Sequence, residues 1–136
     1  MKRSILAFIV GLVVWVLVAS LLNRGLRLAL EGYAAAEPPM VFTHGMMAAR
    51  LALGALASLA AGAATRAVAP SSARILWVLG GVLLAAFVPV HVQLWAIFPV
   101  WYHLVFLATL IPLVVLGGTF IQNRSRIEPR VQGESA

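Results

Sequence analysis

Residues 89–103 read PVHVQLWAIFPVWYH, and how this stretch is placed decides the architecture of the chain. It lies between two apolar runs, Ile75 to about Phe98 and Val100 to about Ile121. Each run reaches the roughly 20 residues that a helix needs to cross the hydrocarbon of a bilayer. Proline cannot continue a helix's hydrogen bonding, and it pushes the residue before it out of the helical region. Pro99 therefore ends one run and starts the next, and the two form a tight hairpin.

Two further runs lie upstream. Ile5 to Leu22 is uninterrupted by charge, and Met40 to Thr65 contains one arginine, Arg50. The 136 residues are 62% hydrophobic and 10% charged, with a mean hydropathy of +1.00. A soluble domain of this size has too little interior for so much apolar surface. The expected fold is an all-α integral membrane protein, a bundle of four transmembrane helices over about 5–22, 40–65, 75–98 and 100–121. Residues 1–123 form one domain, and 124–136 are expected to be a mobile polar tail.

The basic residues set an expected orientation. Lys2, Arg3, Arg66, Arg74, Arg124, Arg126 and Arg130 share one side of a four-span chain. Arg24 and Arg27 lie on the other, offset by Glu31 and Glu37. The excess of positive charge predicts both termini in the cytoplasm, in an inner (plasma) membrane. The net charge of +6 sits at the ends of apolar runs rather than in a patch with interleaved aromatics, which argues against nucleic acid as partner. The "VAS" at 18–20 resembles a cleavage site, but the apolar run before it is long for a signal core, so an uncleaved anchor is expected. Leu26, Leu30 and Tyr33 recur at helical spacing, opposite Arg24, Arg27 and Glu31. They predict a short amphipathic helix in the external loop, before Pro38 and Pro39 open the second span.

Small residues let membrane helices approach closely. Gly54, Ser58 and Gly62 form such a stripe in the second run, and Gly81 and Ala85 continue to Pro89 and Gln93 in the third. The second span is expected to pack centrally along its small face. Self-association along one stripe is the rival reading. Pro89 and Pro112 are expected to kink their helices.

Polar side chains gather in the external half. Trp95, Phe98, Trp101, Tyr102 and His103 have the composition of an interfacial belt. Arg50, His91, His44 and Gln93 form a candidate pocket. His91 lies seven residues before Phe98, about 10 Å inside the boundary at 1.5 Å per residue. A lone arginine inside a span faces the bundle interior or reaches for the interface, and its available external partners are Glu31 and Glu37. His91 is expected to accept a hydrogen bond from Arg50. No cofactor is expected, although haem or a metal held by His44 and His91 is an alternative, with Met46 or Met47 as a soft ligand.

The chain has no cysteine and no aspartate, and no serine is placed with a histidine and a carboxylate. Thiol chemistry and hydrolase triads are thus excluded from the reading. No span carries a carboxylate of the kind that relays protons in exporters. The residues point to a non-enzymatic inner-membrane protein, an accessory or partner-binding subunit that meets lipid and possible protein partners. The alternative is a small transporter or ligand-binding protein in which Arg50 and His91 contact an anionic or quinone-like substrate.

Overall fold

A computed structural model describes residues 1–134, the side chains of 125 and 128–134 excepted; positions 135–136 of the expected tail lie outside the described residues. The described chain is helical throughout, with no strand. It comprises α1 (Lys2–Ala29), α2 (Tyr33–Ala36), α3 (His44–Val68), α4 (Arg74–Gln93) and α5 (Val100–Glu134). Four of these are long and apolar enough to cross a membrane: α1, α3, α4 and the Val100–Arg124 part of α5.

The boundaries depart from the sequence reading in four places. First, α1 runs on to Ala29, so Arg24, Leu26 and Arg27 belong to its last turns. The loop between α1 and α3 keeps a single helical turn, α2, rather than an amphipathic helix, and its Tyr33 is fully buried. Gly32 breaks the continuity, with a left-handed φ of 79° that glycine adopts without penalty. Second, α3 starts at His44 rather than at the prolines. Met40 is left-handed, at φ 57°, and Thr43 caps the helix by accepting the Met46 amide at 3.2 Å. Third, α4 ends at Gln93, five residues early, and residues 94–99 make the connection. Fourth, α5 continues to Glu134 through most of the expected tail.

As expected, α3 is the central helix. It packs chiefly on α5 and α1, α4 packs on α5, and α4 meets α1 and α3 only sparsely. Gly54, Ser58 and Gly62 all face inward on α3, as do Ala57, Ala61 and Thr65. A side chain at Gly62 would fall on the Val114 carbonyl, and one at Gly117 on the Leu59 carbonyl. The two glycines thus let α3 and α5 touch backbone to backbone. Ala7 and Gly11 of α1 are buried, with Gly11 against Thr65 and Ala61 of α3 and Leu79 of α4.

The stripe assigned to α4 is wrong. Nothing lies near Gly81, and Ala85, Pro89 and Gln93 are exposed. The inward face is instead Leu76, Leu79, Gly80, Leu83 and His91, with Gly80 against Ile111. Large apolar residues at three- and four-residue spacing bury more surface than a line of small ones, and that decides which way the helix turns. Pro89 sits inside α4, and α5 likewise passes through Pro112 without interruption.

The polar groups between α1 and α3 are paired. The Trp15 indole donates to Ser58 Oγ at 3.1 Å, and Ser58 donates to the Gly54 carbonyl at 2.8 Å. Thr65 donates to the Ala61 carbonyl at 2.8 Å. Each bond removes the cost of a bare polar group in an apolar interior.

Candidate functional site

One end of the bundle, where the 30–43 segment meets the 94–99 connection, holds a charged network around Arg50. Its Nη1 donates to the Tyr33 hydroxyl at 2.9 Å and its Nε to the Tyr102 hydroxyl at 3.4 Å. Nη1 also lies 3.8 Å from a Glu37 carboxylate oxygen, and the guanidinium carbon sits 4.7 Å from the Phe42 ring centroid. Glu37 is held more tightly by others. Asn23 donates to it at 2.8 Å, and Arg27 forms an ion pair with it. Tyr33 closes the circuit by donating to Asn23 Oδ1 at 2.8 Å.

This network ties the loop down over the bundle, with Glu37 as the one of the two available acids that approaches Arg50. Glu31, the other candidate partner, is exposed. Burial alone would raise the Glu37 carboxyl. The Asn23 and Arg27 hydrogen bonds and the charges of Arg27 and Arg50 outweigh burial and hold it below its usual 4.5. The carboxylate stays ionised at neutral pH, and the cluster of two arginines and one glutamate carries a net positive charge.

Arg50 and Glu37 also border a cavity of about 320 Å³. Its polar end is formed by Ser20, Asn23, Glu37 and Arg50. Its apolar end is formed by Trp15, Leu53, Phe87 and Phe106, with the Trp15 and Phe87 ring centroids 4.9 Å apart. Tyr102 lies in the wall and shares its hydroxyl with Arg50. The lining comes from all four long helices.

His91 does not meet Arg50. It is buried, and its Nδ1 lies 2.7 Å from Nδ1 of His103, which is fully buried. This corrects two expectations: His91 is not Arg50's acceptor, and His103 is not in the interfacial belt. The reason is geometric. His91 and His103 lie six residues on either side of Ile97, so the antiparallel hairpin brings them to the same height. The His91 ring lies 4.7 Å from Phe106 and 6.0 Å from Tyr102, and Trp95 stacks on His103 at 4.8 Å. His91 therefore reaches the cavity only through Tyr102 and Phe106. It lies in the last turn of α4, nearer the helix end than the depth expected from the sequence.

The other predicted residues divide. Trp95 and Trp101 are outward, as a belt requires, at 46% and 40% exposure. Phe98 and Tyr102 are buried with Met47 and are core residues. His44 is exposed and stacks beside Trp101 at 6.3 Å, while His91 is buried and pairs with His103 instead. The 2.7 Å nitrogens of His91 and His103 do not suit one tetrahedral ion. Metal–nitrogen bonds of about 2.0–2.1 Å set ligand nitrogens well over 3 Å apart. Gln93, on the outward face of α4, lies outside the pocket. Sequence reasoning missed Asn23, Tyr33 and Trp15. Their spacing carries no signal of a shared site, because they meet only through packing.

Comparison with protein-family models, curated proteins and solved structures gave no match. The fold defines the class: an all-helical chain with four helices able to span a membrane, consistent with a small multi-pass membrane protein.

Proposed function

We propose that this is a non-enzymatic inner-membrane protein that holds an amphiphile with an anionic or quinone-like head in the cavity beside Arg50. The observation that carries the reading is the polarity gradient of that cavity. A guanidinium oriented by two tyrosines stands at one end, and three aromatic side chains stand at the other. Oriented donors at one end of an apolar cavity position a ligand without chemistry. Arg50 offers the head a charge-assisted hydrogen bond, and Trp15, Phe87 and Phe106 pack on the apolar body.

Trp15 reports occupancy through its fluorescence. Titration with a short-chain quinone and with an anionic lipid should quench it saturably for at least one of them, and a Trp15→Phe variant should lose that component. Arg50→Gln should bind about tenfold or more weakly, since a hydrogen bond to a charged group contributes about 1.5–3 kcal/mol. Equal affinities in wild type and Arg50→Gln would sink the proposal.

A second reading has its own support. Trp95, Ile97 and Trp101 stand exposed around the hairpin, so an accessory role, with another membrane protein docking there, also fits.

The orientation belongs to this proposal: both termini and the 69–73 loop are cytoplasmic, and the Arg50 cavity faces the other side. Reporter fusions after residue 70 and at the C-terminus should read cytoplasmic, and one at Tyr33 external. A cytoplasmic signal at Tyr33 would reverse the assignment.

A further inference from the structure

The opposite end of the bundle holds a cation that the Arg50 site does not use. Arg66 lies two residues from the end of α3 and is only 5% exposed. One terminal nitrogen donates to Gln122 of α5, while its Nε is buried without any hydrogen-bond partner. Among the described residues both ion pairs involve Glu37, at the far end of the chain's fold, and none reaches Arg66. A buried guanidinium with an idle donor and no counter-charge is costly, because burial strips its water and returns nothing.

The surroundings show what would relieve that cost. Arg66 lines a cavity of about 420 Å³ with Ala67, Pro70, Ile121, Gln122 and Arg126. Two arginines and an amide thus converge on one space, against an apolar wall. The height is informative too. The apolar sequence of α5 gives way to Gln122, Asn123, Arg124 and Arg126, and α3 ends at Val68, so the cavity lies where the apolar stretches end. Phospholipid phosphates sit at that level. Arg3 donates to the Val68 carbonyl at 2.6 Å, which brings a further basic residue to the same end.

We infer that Arg66 and Arg126 form a binding site for a phosphate group, supplied by the headgroup of an anionic phospholipid. Arg66 presents its guanidinium from the cavity lining, Arg126 closes over the anion from α5, and the apolar wall takes the start of an acyl chain. This site is separate from the Arg50 cavity and does not rest on its reading.

The test uses the full chain in mild detergent, with phosphatidylglycerol, phosphatidylcholine and inorganic phosphate as probes. Native mass spectrometry should show phosphatidylglycerol retained in preference to phosphatidylcholine. Arg66→Met and Arg126→Ala should each reduce that retention about tenfold or more, the scale of a lost charge-assisted hydrogen bond. Thermal stability gives a second readout that separates binding from folding. Without anionic lipid, Arg66→Met should melt at or above the wild-type temperature, because an apolar side chain replaces an unpaired buried charge. Phosphatidylglycerol should then raise the melting temperature of the wild type and leave Arg66→Met unmoved. Equal stabilisation by inorganic phosphate would assign the site to a free phosphate anion instead of a lipid. Equal retention of the two lipids, with no response to phosphate, would overturn the inference. So would a lipid-free Arg66→Met protein that melts well below the wild type, since the guanidinium would then already be compensated within the fold.

Discussion

Gly62→Leu is expected to prevent the bundle from closing. Any β-carbon there lands on the Val114 carbonyl, with the Gly118 amide nitrogen 3.1 Å away. These are backbone atoms of α5, so no rotamer change can make room. Overpacking that side chains can absorb costs about 1–3 kcal/mol, and a backbone obstacle should exceed that range. The loss extends beyond one residue, because separating α3 from α5 opens the largest interface in the fold. Gly54→Leu should be milder, since its obstacle is the Phe106 ring, at 2.8 Å, which can turn. Leu56 is 52% exposed and Gly81 has open space around it, so Leu56→Ile and Gly81→Leu serve as controls. Thermal unfolding in detergent ranks the four variants. A Gly62→Leu protein as stable as Leu56→Ile would mean that α3 and α5 do not meet as described.

The second large effect concerns His91 and His103. A bond between two Nδ1 atoms needs one hydrogen, donated by one ring and accepted by the other. Removing either ring leaves the other buried without that partner, at a cost of about 1–3 kcal/mol beyond the lost packing. Removing both leaves no orphan. The double variant His91→Ala/His103→Ala should therefore be markedly more stable than the sum of the two single losses predicts, with an interaction of about 1–3 kcal/mol. Arg50→Ala combined with His103→Ala should be additive within about 0.5 kcal/mol. The measurement is a double-mutant cycle in thermal or denaturant unfolding. Simple additivity for the two histidines would show that the rings do not share a proton. Coupling between Arg50 and His91 should be small, because the two touch in common only Tyr102.

The α3 packing at Gly62 was legible in the sequence, and the pairing of His91 with His103 was not. Span number, the hairpin before Pro99 and the inward face of α3 could all be read directly. Each depends on local pattern: run length, a missing amide hydrogen, and small residues every fourth position. The positions of Arg50 and Glu37 near one end of the bundle were legible for the same reason, since depth follows from residue count along a helix. Glycine at 54 and 62 with serine at 58 on one face left α3 few other ways to pack.

Rotation about each helix axis was decided only by tertiary structure. On α4 the candidate small stripe through Gly81 and the apolar stripe through Leu79 and Leu83 point in different directions. Only the partner surface on α5, with Ile111 against Gly80, selects between them. The same rotation turns His91 inward and Gln93 outward, and it brings His103 from the expected belt into the core. Asn23, Tyr33, Glu37 and Arg50 come from three segments with no shared periodicity, and they meet because the 30–43 loop folds back over α1. Hydrophobicity is nearly uniform around these helices, so sequence alone sets how deep a residue lies and leaves open which neighbour it faces. Side-chain volume and backbone approach, which exist only between assembled helices, settle that second question.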